Sequence, residues 1–469
     1  MTTVVGIFTS LFNNIVSKPE FFLAILVFVG YMLLKKGFLQ SLSGALKAAI
    51  GYMILQAGSS GMVQGFNPML NGLLAKFNLS AAVIDSNFGF AAANEAITSI
   101  GESLSSTMLV LLIGFIVNIL LVLFKNITKV RTVYTTGHIM VKQAGFITWM
   151  TFFALPEYRN ATGVMIIGIL IGMYWAIFSN LTVEATQNLT GGERVFAVGH
   201  AQMAGIWLTD KVAHLFGDKE DDIESIKLSK NFKVLSDNIF GTSVVMLLMF
   251  GTILIVLGPE TMAEFDASFN PDIAYVSYII TKSLSFVVNF IILQTGVRMF
   301  VTEITESFNG ISDKLLKGAI PAVDCAATFG FASSNTVLIG FLFGFIGQII
   351  AIAGLVIFGS PILIISGFVP LFFDNSTLAI YANKRGGRKA AMIIPFISGI
   401  AQVLLGAVGV MAFGLADFGG WYGNIDVSTV WLAFGGLMKQ FSIVGVGIIA
   451  IIMLAIPQLQ YKRNEEGYF

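Results

Sequence analysis

The sequence predicts an all-α polytopic membrane protein with about eleven crossings, since a helix needs about 20 apolar residues to span a bilayer core. Three observations carry this. Hydrophobic residues make up 56% of the 469-residue chain and charged residues only 12%, about half the usual charged share. The charges also cluster, leaving long uncharged stretches. Finally, short phrases recur about half a chain apart, as they do in repeat-built transporters. A soluble protein with several central helices would need more charge than this to cover its surface.

Along the chain, Thr2 to Lys18 is a mixed, weakly amphipathic stretch with no basic start and no cleavage-like end, so no cleaved signal is expected. The first apolar run ends at Lys35 and Lys36. Ser105–Phe124, Ala161–Val183, Asn238–Pro259, Ala390–Ala416 and Gln440–Tyr461 are each uncharged and long enough to cross. Cys325 to Phe373 carries no charge over 49 residues, room for two crossings with Gly359-Ser360-Pro361 as the break. Between Asp210 and Lys233 lie eleven Asp, Glu or Lys in 24 residues. This reads as a hydrophilic connection, giving a first membrane half over 1–209, a charged cytoplasmic loop over 210–236 and a second half over 237–469.

Lys and Arg in short loops favour the cytoplasmic side. Basic residues mark segment ends at Lys35–Lys36, at Lys125, Lys129 and Arg131, at Lys384 to Lys389 and at Lys462-Arg463; the Lys35–Lys36 turn, the central loop and the C-terminus are therefore placed inside and the N-terminus outside, which makes the number of crossings odd.

FGFAAAN at Phe88–Asn94 reappears as FGFASSN at Phe329–Asn335, 241 positions on (329 − 88). ILQAG at Ile54–Gly58 reappears as ILQTG at Ile292–Gly296, 238 on (292 − 54). Two pairs in the same order at nearly equal offset argue for an internal duplication. With the orientation above, the copies face opposite ways, so the repeats are expected to be inverted. Each FGFA phrase follows an acid in apolar company, Asp85 or Asp324. Both are read as re-entrant hairpins, around 80–100 and 322–336, because irregular backbone at membrane depth survives only where protein or a cavity surrounds it. An acid inside a span points to function; for Asp85 an ordinary interfacial loop is the rival.

Two histidines sit in parallel phrases, TTGHIMVKQAG (His138) and AVGHAQMAGIW (His200), each near an amide, Gln143 or Gln202. Imidazole and carboxamide both donate and accept, which suits a polyhydroxylated ligand; a helix cap or satisfied core histidine is the alternative. His214 falls in the charged loop and reads as solvated. Arg298, Glu303 and Glu306 read as a solvated helix face, with a buried ion network as the other option. Gly51 to Gly65 lacks phosphate-loop spacing. Cys325 is the sole cysteine and there are three histidines, so no disulfide framework is expected and little scope remains for a metal site. No cofactor is expected. The formal net charge of zero implies no nucleic acid or other polyanion.

ILQAGSSGM, the TGHIM and AVGH phrases, TGVRMFVTEITESFNGIS (Thr295–Ser312), VDCAA at Asp324 and FVPLFFDNSTLAIYANKRGG (Phe368–Gly387), in order over nearly the whole chain, resemble the ascorbate-specific enzyme IIC of the bacterial phosphotransferase system. The resemblance implies a homodimeric inner-membrane permease whose core domain moves, elevator-fashion, against a dimer-forming scaffold. It also implies phosphorylation of the sugar by a separate IIB phosphocysteine protein recharged by IIA, with no catalytic residue in the permease. The implied substrate contacts fall at Ser86, Asn87, His138 through Lys142, His200, Ala201 and Asp324. Asn87 replaces the family's aromatic hydroxyl, and Lys142 and Ala201 each replace a glutamine. Gln143 and Gln202 lie one residue further on, which on a helix turns a side chain by about 100°. A lysine in the cavity would favour an anion such as ascorbate. Two other classes remain: an ion-coupled secondary transporter using Asp85 and Asp324, and a structural scaffold that binds nothing.

Overall fold

The structure, a computed structural model, describes residues 18–192, 196–223, 234, 237–316 and 318–469. The amphipathic stretch up to residue 17 and most of the charged loop beyond residue 223 lie outside the described residues.

In the first half the helices are α1 (Pro19–Leu33), α2 (Phe38–Phe77), α3 (Ser86–Ser99), α4 (Ser105–Leu123), α5 (Gly137–Ala154), α6 (Ala161–Leu189) and α7 (Met203–Val212). In the second they are α8 (Asn238–Phe265), α9 (Tyr275–Leu315), α10 (Ser334–Ile357), α11 (Asn375–Ala412) and α12 (Leu432–Arg463). Among the described residues, eight helices are long and apolar enough to cross a membrane. The uncharged stretches at 105–124, 161–183 and 238–259 coincide with α4, α6 and α8, and those at 390–416 and 440–461 fall largely in α11 and α12. A chain this apolar folds into helices because every backbone polar group must be satisfied internally once water is excluded.

The all-α expectation needs amending. Six short strands run between the helices: β1 (Ser80–Ile84), β2 (Thr132–Tyr134), β3 (Ala197–Val198), β4 (Ile320–Val323), β5 (Ile362–Ser366) and β6 (Gly420–Trp421). They form two parallel three-stranded sheets, ordered β5-β1-β6 and β2-β4-β3. Each sheet takes its central strand from one half of the chain and both flanking strands from the other. The stretch after the Gly359–Pro361 break therefore enters as a strand before it becomes helix. Strands of two to five residues carry too little alternation to read, so apolar composition alone cannot tell them from helix.

The ILQ-x-G duplicates pack on each other. A side chain at Gly58 would run into the backbone of Leu293, and one at Gly296 into that of Leu55. The two glycines hold the same place in the ILQAG and ILQTG phrases, so the contact between the phrases is reciprocal. Small residues let α2 and α9 approach this closely.

α11 breaks at Gly387, whose φ of 63° favours glycine. The start of the charged loop packs against this break. Arg385 donates to Asp210 at 2.7 and 3.2 Å, and Arg388 to Asp221 at 3.1 Å. Burial raises the Asp210 carboxyl, but the hydrogen bonds from Arg385 and Lys211 outweigh it and hold the group below its ordinary range. Arg298, Glu303 and Glu306 divide: Tyr31 OH lies 2.6 Å from a carboxylate oxygen of each glutamate, Lys36 pairs with Glu306, and Lys47 lies 3.5 Å from Glu303. Arg298 faces elsewhere.

Candidate functional site

The β2-β4-β3 sheet brings the site together. All three strands run parallel, with Tyr134 opposite Ala322 and Val198 opposite Val323, so their C-terminal ends lie side by side. The chain leaving β4 begins with Asp324. The chain leaving β2 turns through Thr135 and Thr136 into α5, whose second residue is His138. The chain leaving β3 reaches His200 two residues on. Three side chains far apart in sequence thus converge because their strands are neighbours. Lys142 joins them from one turn further along α5, four residues after His138 and hence on the same face.

His138, Lys142, His200 and Asp324 line one cavity of about 230 Å³, together with Gln294 and Arg298 of α9. His138 Nε2 donates to Asp324 Oδ2 at 3.0 Å. Asp324 Oδ1 also accepts from Ala326 N–H at 2.8 Å, capping the short 3-10 turn Cys325–Phe331. His200 is buried, and its Nδ1 hydrogen-bonds Gln202 Oε1. The carbonyl oxygen only accepts, so Nδ1 carries the proton and Nε2 is left as an acceptor. Lys142 is 4% exposed; no ion pair to it is seen among the described residues, and Asp85 and Asp324 are the carboxylates whose charge reaches it.

The remaining expected residues lie outside this lining. Gln143 is buried and accepts from Trp175 Nε1 at 2.6 Å, turned off the cavity as one helical step requires. Gln202 orients His200 from behind. Ala201 is buried, with its carbonyl accepting from Asp426 N–H at 3.0 Å. Ser86 and Asn87 begin α3 beside the other sheet, both fully buried. Asn87 Nδ2 and N–H donate to Asp85 Oδ1 at 3.0 and 2.8 Å, and Val369 N–H donates to Asp85 Oδ2 at 3.0 Å. Asp85 is thus a cap that ties α3 to the chain leaving β5.

Sequence reasoning missed Gln294 and Arg298 as lining residues. The available signal was Gln294's place in the ILQTG echo, with Arg298 one turn on. It also left little scope for a metal, yet the ligand atoms of His138, His200 and Asp324 all lie within 4.8 Å of one another.

The family described as the EIIC-GAT, phosphotransferase system (PTS) sugar-specific permease component, matches residues 14–433. This chain belongs to that family. The chain is also 34% identical, over 430 residues, to the ascorbate-specific PTS system EIIC component of Mycoplasma pneumoniae, covering 84% of this chain and 65% of that protein. It therefore spans about 65% of the length of the curated relative it matches.

In this permease the cavity combines one carboxylate, two imidazoles and two cationic side chains on walls from different elements. Such a set can hold hydroxyls by donation and acceptance and balance a negative charge.

Proposed function

We propose that this permease binds and translocates L-ascorbate or a close sugar acid across the inner membrane of a bacterium, and that a separate phosphocysteine IIB protein, recharged by IIA, phosphorylates it. The observation that carries the reading is the charge of the cavity: Lys142 and Arg298 face a single carboxylate, Asp324. With neutral histidines the lining is left one positive charge in excess, complementary to a substrate that is an anion at neutral pH. The name of the Mycoplasma pneumoniae relative points the same way.

The architecture that goes with this function has eleven crossings, inverted repeats over 1–209 and 237–469, a cytoplasmic 210–236 loop and two re-entrant hairpins, β1–α3 and β4 with its 3-10 turn. The N-terminus lies outside and the C-terminus inside. The exchange of strands between halves and the reciprocal Gly58–Leu293 and Gly296–Leu55 contacts support the duplication. α2 and α9 belong to the scaffold through which a homodimer forms, and the two sheets belong to a core that moves against it.

The ion-coupled alternative fares worse, because Asp85 is not among the residues that line the cavity and both its oxygens accept hydrogen bonds from the chain. Vesicles containing the permease alone separate the two. We expect concentrative, phosphorylating uptake of labelled ascorbate only when IIA, IIB and a phosphoryl donor are enclosed. Uptake driven by an ion gradient without them overturns the proposal.

Lys142→Gln should lower the affinity for ascorbate by roughly ten- to a hundred-fold, the usual cost of losing a bond to a charged group, while neutral sugars are affected far less. Competition binding across charged and neutral ligands checks this. An unchanged preference would make Lys142 a bystander.

A further inference from the structure

The β2-β4-β3 sheet leads into His138, His200 and Asp324 at its C-terminal ends, and a single residue stands at the opposite end. Arg131 immediately precedes β2, and its main-chain carbonyl accepts from Ile320 N–H of β4 at 2.9 Å. It therefore joins the heads of the two strands whose far ends lead to His138 and Asp324. In the sequence Arg131 is one of several basic residues marking a segment end, yet it is only 3% exposed. An arginine stays charged, so burying it requires partners for its fork of donors.

Those partners come from two places. From α6, Asn180 Oδ1 accepts from Arg131 N–H and from Nε, both at 3.0 Å, and Glu184 accepts from Nη2 at 2.8 Å. The rest comes from Tyr468, beyond α12 and fully buried. Its main-chain carbonyl accepts from Arg131 Nη1 at 2.8 Å, and the guanidinium lies over its ring, 3.7 Å from the centroid, an attractive cation–π arrangement. The Tyr468 hydroxyl donates to the Lys129 carbonyl at 2.7 Å and accepts from Asn180 Nδ2 at 2.9 Å. One tyrosine thus grips both Lys129 and Arg131, the residues that lead into β2.

We propose that Arg131 and Tyr468 are positioning residues for the cavity: Tyr468 closes over Arg131 as a clasp that fixes β2 and, through it, His138. Neither residue lines the cavity. β2 is only three residues long, so few ladder hydrogen bonds hold it. Past its end, Thr135 N–H and hydroxyl both donate to Ala322 O at 2.9 Å. The strand is pinned at both ends, and a shift at Arg131 passes along it toward α5 instead of being absorbed in a loop. The consequence for ascorbate rests on the proposed function; the clasp itself does not.

Tyr468→Ala in the full-length permease is expected to weaken ascorbate binding roughly ten-fold, the effect of losing about one neutral hydrogen bond at the site. Tyr468→Phe keeps the ring over Arg131 and should lose less. Arg131 retains Asn180 and Glu184 in both variants, so both should fold. Residues that act as a unit are not additive. The loss from Tyr468→Ala should therefore largely vanish in a His138→Ala background, and should add in full to that of Arg298→Ala, which lies on α9 outside the sheet. Amide hydrogen exchange reads the clasp without any ligand: Tyr468→Ala should speed exchange over residues 132–138 and leave α8 as protected as in wild type. Unchanged affinity, full additivity with His138→Ala, or exchange that rises throughout the molecule overturns the proposal, and Tyr468 then serves stability alone. If the wild type binds no ascorbate, the substrate reading falls, and the exchange pattern by itself upholds or overturns the clasp.

Discussion

Asp324→Asn is expected to weaken substrate binding by roughly ten- to a hundred-fold and to abolish efficient transport, with little effect on folding. The carboxylate is the one negative group in the cavity. It holds His138 by a 3.0 Å bond and keeps part of its surface open to a ligand. An amide of the same shape can still cap the 3-10 turn through its oxygen. It loses one acceptor and the negative charge that fixes the His138 tautomer. Leaving a buried ligand hydroxyl without its acceptor costs roughly 1–3 kcal/mol, more where charge is involved, and about 1.4 kcal/mol is a factor of ten. Equilibrium binding beside a thermal unfolding curve checks this. An unfolding midpoint near wild type with binding unchanged would remove Asp324 from the substrate contacts. A midpoint that collapses would show that its role is structural instead.

Asp426→Ala is expected to be the most damaging single change to the fold. Asp426 is fully buried and accepts from Tyr174 OH at 2.8 Å, from Ala204 N–H at 2.9 Å and from Gly205 N–H at 3.1 Å. It comes from the second half of the chain, whereas all three donors belong to the first. Ala204 and Gly205 sit in the first turn of α7, just past His200, so this one carboxylate also fixes the segment carrying that histidine. Truncation strands three donors in an apolar interior, at a cost of about 3–5 kcal/mol. That is a large part of the 5–15 kcal/mol, roughly, by which folded proteins are stable. Asp426→Asn, which keeps one acceptor, should lose less. Yield and unfolding temperature in detergent read the series. An Asp426→Ala protein as stable as wild type would mean that water replaces the carboxylate.

Asp374 plays a similar part within the second half of the chain. It is fully buried, and it accepts from Asn424 Nδ2 at 2.5 Å and Ile425 N–H at 2.7 Å. Neither aspartate stood out in the sequence. Asp374 ends a long uncharged run and Asp426 sits in a Gly/Trp/Asn-rich turn, where an acid reads as a loop residue.

The sequence by itself determined the solvent of this protein and much of its plan. Uncharged runs of the right length locate α4, α6 and α8 because hydrocarbon accepts nothing else. Two echoes at almost equal offset marked segments that pack on each other at Gly58 and Gly296, and the parallel GH phrases marked both histidines of the cavity. Tertiary structure decided everything that depends on which strand lies beside which. The short strands were invisible because two to five apolar residues have no period to read. Their pairing across the halves set His138, His200 and Asp324 around one point and brought Asp85 beside the backbone amide of Val369. The packing of α9 also brought Arg298, which looked like a solvated helix face, into the same cavity lining as Lys142. Spacing within one helix can be counted from sequence, but adjacency between elements comes from long-range contacts that no local pattern records.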